Sequence, residues 1–236
     1  MKKILGNLRK TIQENELIKE NDRVAVGVSG GKDSMMLLYA MRKLQDFYPI
    51  KFELAAFCVD LGMENFHSDR IKDFCNSIDV PFHIVETQIS KIVFEVRNEK
   101  NPCSLCAKMR RGALHKAAVA EGFKILALGH HEDDAIETLF MNLIYTGRIN
   151  TFMMDTYLSR MDIHVIRPLI TTTEKDIIHA MKHLDIPNVK NPCPMDRTTK
   201  REETKNMLAD FYKVYPGSRK NFATAISSSK HIQLIK

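Results

Sequence analysis

No stretch of this 236-residue chain approaches the roughly 18 consecutive apolar residues that a membrane-crossing helix needs, and no apolar run follows the charged start MKKILGNLRK. Those absences argue against a membrane protein and predict a soluble, cytoplasmic one. Cysteine is scarce and odd in number, with five residues, and Cys58 and Cys75 sit inside apolar surroundings. A disulfide framework is therefore excluded, leaving reduced thiols or metal ligands. No internal repeat, low-complexity segment or Gly/Ser linker divides the chain, and its length fits one α/β domain with a short appendage. An excess of one charge is also missing from most of it. Of 35 Lys and Arg and 29 Asp and Glu, ten and four fall beyond Val189, which leaves the first 189 residues balanced at 25 against 25. All of the net charge of +6 is thus carried by residues 190–236. That points to a polyanionic partner, nucleic acid above all, although a solvated helix face would also be basic.

What is present reads as alternating strands and helices. Residues 1–20 predict an amphipathic helix with Ile4, Leu8, Ile12 and Leu17 as its apolar stripe. Five strands follow from short apolar runs: 23–28, 52–59, 82–85, 124–128 and a weaker one at 163–166. Helical stretches separate them, so the expectation is a doubly wound parallel five-stranded sheet with a helical C-terminal appendage. In such sheets ligands lie beyond the carboxyl ends of the strands, so the loops after Val28, Val59 and Leu128 should converge. The division expected is an N-terminal helix (1–20), a nucleotide-binding domain (21–189) and the basic helical segment (190–236). Within that segment Thr199 and Glu202 suggest a capping box, and Met207, Leu208, Phe211, Val214 and Tyr215 suggest an apolar face opposite Lys200, Arg201 and Lys205.

The stretch AVGVSGGKDSMMLL joins the first strand to a helix through Ser29, Gly30, Gly31, Lys32, Asp33 and Ser34. Paired glycines let an anionic ligand approach the backbone, and a helix start offers unpaired N–H groups and a positive dipole end. Phosphate is the natural occupant. The spacing is not that of a Walker loop, because Asp33 rather than Ser or Thr follows the lysine. SGGKDS instead resembles the pyrophosphate loop of the N-type ATP pyrophosphatases, which split ATP into AMP and pyrophosphate. That resemblance implies an adenine nucleotide alpha hydrolase-like fold, with Ser29, Gly30, Gly31, Lys32 and Ser34 on pyrophosphate and Asp33 near Mg²⁺. A second motif, Gly129-His130-His131-Glu132-Asp133-Asp134 continuing through Glu137 and Thr138, follows the fourth strand. Acidic residues in a first helical turn are ordinary helix-start chemistry, yet GHHEDDAIET resembles the GHxxDDxxET signature of the same superfamily. On that resemblance Gly129 and His130 join the nucleotide site, Asp133 and Asp134 coordinate Mg²⁺ or handle protons, and Val59 and Asp60 line the adenosine site.

A third constellation is PCSLCAKMRRG with Cys103 and Cys106, followed at a distance by NPCP with Cys193. A CxxC near a helix start suits a metal, a redox pair or half of a zinc site. Structural zinc asks for four closed ligands, and no fourth stands near Cys193 at metal-site spacing. Taken in order, the motifs resemble the tRNA 2-thiocytidine synthase family (TtcA-like). The resemblance implies a [4Fe-4S] cluster on Cys103, Cys106 and Cys193, with Arg110 and Arg111 facing cluster, phosphate or RNA. It implies ATP and Mg²⁺ as cofactors, a tRNA substrate, a separate sulfur donor such as a cysteine desulfurase, and a chain able to form a homodimer. A lysidine-synthase-like or small-molecule ATP pyrophosphatase with structural zinc, and a non-catalytic RNA-binding protein, are the alternatives.

Overall fold

The computed structural model describes residues 1–97, 102–189, 192–193, 195 and 199–228. Lys190, Asn191 and Pro194 around the NPCP motif, and everything from Ser229 onward, lie outside the described residues. In chain order the elements are α1 (Lys2–Glu14), β1 (Arg23–Val28), α2 (Lys32–Gln45), β2 (Glu53–Asp60), α3 (Ser68–Ser77), β3 (Phe82–Glu86) and a short α4 (Ile89–Lys91). The last of these runs into a π-helical stretch, Ile92–Val96. Then come α5 (Pro102–Ala120), β4 (Ile125–Leu128), α6 (Glu132–Thr146), β5 (Asp155–Leu158), β6 (Ile163–Ile166), α7 (Glu174–Met181), α8 (Lys200–Val214) and α9 (Ser218–Ser227).

Among the described residues the sheet has six strands, not five, in the order β3-β2-β1-β4-β6-β5. All neighbours run parallel except β5, which pairs antiparallel with β6 from Asp155↔Ile166 to Leu158↔Ile163. The extra strand is a half-exposed edge, DTYL, too short and too polar to show an apolar pattern. Strand β2 has six buried positions in a row, as a parallel strand covered on both faces requires.

Helix α2 explains why α1 exists. Met35, Met36, Leu37 and Leu38 are all fully buried, and four consecutive positions point all round a helix. The side turned away from the sheet is covered by α1, whose Ile4, Leu8 and Ile12 join the same core, and by α7. A second core on the opposite face gathers Phe57, Val93, Leu114 and Ala118 beneath α5. Strand order reverses between β1 and β4, which end level at Gly27↔Leu128. A crevice is therefore expected beyond those two ends.

Helix α6 is buried only near its start. In α6 only Ala135, Ile136 and Glu137 are buried, whereas Leu143 and Ile144 are exposed. This helix packs against α8 and α9, with the Phe140 ring 4.9 Å from that of Phe222.

Candidate active site

The Ser29–Ser34 loop, the expected phosphate loop, is built by its own side chains. Ser34 Oγ accepts from Ser29 N–H at 3.1 Å, sits 3.2 Å from Ser29 Oγ and donates to the Gly31 carbonyl at 2.9 Å. Gly30 turns the chain at φ +81°, and its carbonyl accepts from Val189 N–H at 2.9 Å. A Cβ there would fall 2.8 Å from Val189 Cβ, so glycine is required by both conformation and space. The N-cap of α2 is Gly31, and no side chain among the described residues caps it. First-turn N–H groups are thus left without a side-chain cap, and Gly31, Lys32, Asp33 and Ser34 line the cleft. Burial pulls the Lys32 ammonium pKa down, but Asp33 and Glu174 overcome that and hold it above the ordinary lysine value.

At the end of β4 the arrangement is reversed. His131 caps α6 with a reciprocal box: Asp134 N–H donates to His131 Nδ1 at 3.3 Å, and His131 N–H donates to Asp134 Oδ2 at 2.9 Å. The two motifs touch through Gly129, where a Cβ would meet the Asp33 carbonyl carbon and oxygen and the Ser34 nitrogen at 2.9 Å. The His130 ring lies tilted against Phe152 with centroids 4.9 Å apart, and burial pushes its pKa down to about 4, so it is neutral at physiological pH. Asp33 Oδ1 is buried with no hydrogen-bond partner among the described residues, 3.6 Å from His131 Nε2.

The adjacent aspartates face different ways. Asp134 lines the cleft and pairs with Arg201 at 3.2 Å. Asp133 does not line it: its Oδ1 accepts from Arg219 Nε at 2.7 Å and its Oδ2 from Glu174 N–H at 2.7 Å, fastening α9 and α7 to α6. The basic residues of α8 also depart from expectation. Arg201 bonds Asp134, Glu137 and Thr138, Lys205 bonds Glu174, and Lys200 bonds Glu203. Arg201 and Lys205 thus neutralise a carboxylate cluster, and Lys200 forms an exposed pair within α8. Thr199 does cap α8, accepting from Glu202 N–H at 3.4 Å. Of the expected apolar stripe Leu208 is buried, while Met207, Phe211, Val214 and Tyr215 are exposed.

These elements enclose a cleft of about 1180 Å³. Its wall includes Ser29, Gly31, Lys32, Asp33 and Ser34 from the phosphate loop, Val59 and Asp60 after β2, and Gly129, His130 and Asp134 after β4. Arg110 and Arg111 of α5 and Cys193 complete one side. Cys103 is exposed and Cys106 half-buried at the start of α5. Burial raises the pKa of both thiols, and the nearby Cys193 raises each further, while Arg110 draws Cys106 back down. Three cysteine sulfurs near enough to influence one another electrostatically are a donor set suited to a cationic centre, which would favour their ionised form. Among the described residues no three His, Cys, Asp or Glu side chains already form a metal-ligating group. By contrast, burial pushes Cys58 and Cys75 up to about 12, as befits inert core thiols.

The sequence itself places this cleft among known proteins. Residues 2–210 match a family described as PP-loop domain. Over 222 residues the chain is 36% identical to the tRNA-cytidine(32) 2-sulfurtransferase of Pelobacter propionicus, covering 93% of this chain and 82% of that protein. The protein of the same name from Nitrosomonas europaea is 37% identical over 92% of this chain and 70% of its own length. This chain belongs to the PP-loop tRNA-cytidine 2-sulfurtransferase family. Among solved structures, the U34-tRNA thiolase NcsA of Methanococcus maripaludis, determined with its [4Fe-4S] cluster, superposes with a TM-score of 0.79 at 27% identity. That match covers 99% of this chain and 80% of NcsA. The NH3-dependent NAD synthetase of Campylobacter jejuni, at 16% identity and a TM-score of 0.53, shares the fold.

Within this PP-loop protein, sequence reading missed Glu174, Arg201 as a carboxylate clamp, Arg219 and the capping role of His131. One signal was available for Glu174: TTTEKD opens a helix just after a parallel strand, at the sheet end where function gathers. The partners of Arg201 and Arg219, 67 and 86 residues away, left no local trace.

Proposed function

We propose that this protein is an ATP-dependent tRNA sulfurtransferase that converts a cytidine to 2-thiocytidine. The observation that carries the reading is the single cleft onto which the phosphate loop, Asp134, Arg110 and Cys193 all open. The relatives named tRNA-cytidine(32) 2-sulfurtransferase support the substrate, and the cluster-bearing tRNA thiolase supports the cysteine assignment. An amide-like C2 oxygen is a poor leaving group. It attacks the α-phosphorus of ATP, pyrophosphate departs, and sulfide then adds at C2 as AMP leaves with the former oxygen.

Lys32 and the uncapped N–H groups of α2 bind and neutralise the departing pyrophosphate. Asp33, with its orphaned buried oxygen, and Asp134 would hold Mg²⁺, which shields phosphate charge when bound. Val59 and Asp60 face the adenosine, Gly129 and the neutral His130 close the site beside it, and Arg110 orients RNA or phosphate. Asp133 supports the site from behind by fixing α7 and α9. Cys103, Cys106 and Cys193 would hold a [4Fe-4S] cluster, which when bound supplies an iron able to carry sulfide. Sulfur comes from a separate donor such as a cysteine desulfurase, and we place the enzyme in the cytoplasm as a homodimer. We retain the division into residues 1–20, 21–189 and 190–236 within this proposal.

The test incubates anaerobically isolated protein with tRNA, ATP, Mg²⁺ and sulfide, followed by mass spectrometry of the nucleosides and assay of AMP. The expected result is 2-thiocytidine formed together with AMP. Release of ADP and phosphate, or stoichiometric zinc without labile sulfide, would count against the reading.

A further inference from the structure

The ion pairs around Glu174 carry an assignment beyond the phosphate loop. Glu174 Oε1 accepts from Lys32 Nζ at 2.9 Å and from Lys205 Nζ at 2.8 Å, so two ammonium groups from different helices straddle one oxygen atom. Both lysines line the cleft, one from the first turn of α2 and the other from α8. Lys32 also donates to Asp33 Oδ2 at 2.9 Å. A phosphate oxygen could take the place of that shared carboxylate oxygen, accepting from the same two donors while bringing more charge.

We propose that Lys205 is a second pyrophosphate-binding cation of the nucleotide site and that Glu174 is a resident counter-anion, which pyrophosphate or the β,γ-phosphates of ATP displace. This rests on the ATP reading above and adds a ligand from outside the SGGKDS loop. Glu174 keeps the two lysines apart by a fixed distance and holds both charged: burial would raise its own pKa, but hydrogen bonds from Lys205 and Lys32 bring it down to about 2. Lys205 stays protonated too, because the carboxylates of Glu174 and Glu137 outweigh its burial. The pair is therefore assembled before nucleotide arrives, and only the anion between them has to be exchanged. An adenylate without the two outer phosphates would not reach this pair, so the selectivity conferred is for triphosphate over monophosphate.

The rival account makes Lys205 only an anchor of α8 onto α7. The two accounts predict opposite results from the two ends of one ion pair. Titration calorimetry of the full-length protein with inorganic pyrophosphate, a non-hydrolysable ATP analogue and AMP, each with Mg²⁺, supplies the readout. Lys205→Met should weaken pyrophosphate and the ATP analogue by about tenfold or more, as for loss of a charged hydrogen bond, with AMP unchanged. Glu174→Gln breaks the same anchor but removes the competing charge, and should tighten pyrophosphate by about threefold or more. Thermal unfolding of both variants reports whether they are folded. If both substitutions weaken all three ligands alike, or Lys205→Met leaves pyrophosphate affinity unchanged, the assignment is overturned. Failure of the unaltered protein to bind either pyrophosphate or the ATP analogue would overturn the ATP reading itself, and this assignment with it.

Discussion

Two helix N-termini stand side by side at the carboxyl ends of β1 and β4, and they have opposite chemistry. That of α2 is bare: its N-cap is Gly31, no side chain among the described residues caps it, and a lysine occupies its first position. The N-terminus of α6 is closed by the His131–Asp134 box and carries three carboxylates in its first turn. Both helices have the same dipole, which favours negative charge at this end. In α6 the chain supplies that charge with three carboxylates; in α2 it supplies one, Asp33, and sets Lys32 beside it. On the function proposed above, two strand-turn-helix units yield a receiver for phosphate and, within contact distance through Gly129, a carboxylate wall suited to a cation.

Lys32→Ala should break the α2 side most completely. AMP formation should fall by at least about 10²-fold, the scale seen when a charge-stabilising donor is removed. Thermal stability should change little, since Glu174 keeps Lys205 as a partner. Retained turnover would show that α2 is not the phosphate receiver. On the α6 side the two aspartates should separate. Asp134→Asn is expected to cost roughly tenfold to 10²-fold in turnover. Asp133→Asn should instead cost about 1–3 kcal/mol of stability, because Arg219 and the Glu174 N–H lose a charged acceptor, with turnover per folded molecule largely kept. Turnover lost at unchanged stability in Asp133→Asn would transfer the chemical role to that residue.

Pushing the two helix starts apart should have an effect of similar size to the loss of Asp133. Gly129→Ala places a methyl 2.9 Å from backbone atoms of Asp33 and Ser34, which cannot rotate away as a side-chain tip could. The expected cost is about 1–3 kcal/mol, with ATP binding weakened in parallel. A calorimetric scan paired with nucleotide titration checks both halves.

Which parts of this arrangement were legible in the chain follows from the range of the interactions involved. The glycine pair, the lysine and the alternation of β1 with α2 are set by neighbours in sequence, so Ser29 to Ser34 could be placed before the fold was known. The same holds for β4 and the start of α6. Edge strand β5 was invisible because four half-exposed residues carry almost no pattern. Asp133 and Asp134 could not be told apart, since the difference lies in Arg219 and Glu174, which reach them from distant helices. The basic tail is a related case. A count of charges shows an excess of Lys and Arg but not that Arg201, Lys205 and Arg219 are bound to Asp134, Glu174 and Asp133.

The smallest effect expected is a pH dependence that distinguishes the two carboxylates on either side of Lys205. Glu137 has only 7% of its side chain exposed. Burial, followed by the neighbouring Asp134 charge, pushes its pKa from 4.5 up to about 7 despite Arg201 and Lys205. Glu174 is moved from 4.5 down to about 2, its lysine partners overcoming burial. The signs are opposite. In the window between 4.5 and about 7 folded Glu137 holds a proton that the unfolded chain releases, so its contribution is complete below 4.5 and is lost as pH rises toward 7. Glu174 contributes stability above 4.5, which is lost as pH falls toward about 2. Glu137→Gln, which keeps an acceptor for Arg201 but cannot ionise, should therefore raise stability at about pH 8 by on the order of 1 kcal/mol and leave it nearly unchanged at about pH 5. Glu174→Gln should lower stability at both values, since both lie above its titration window. Thermal midpoints of the three proteins at the two pH values decide the matter: a Glu137→Gln variant less stable than the parent at about pH 8 would mean that Arg201 holds this carboxylate ionised, and that the acidic wall of α6 carries full charge at neutral pH.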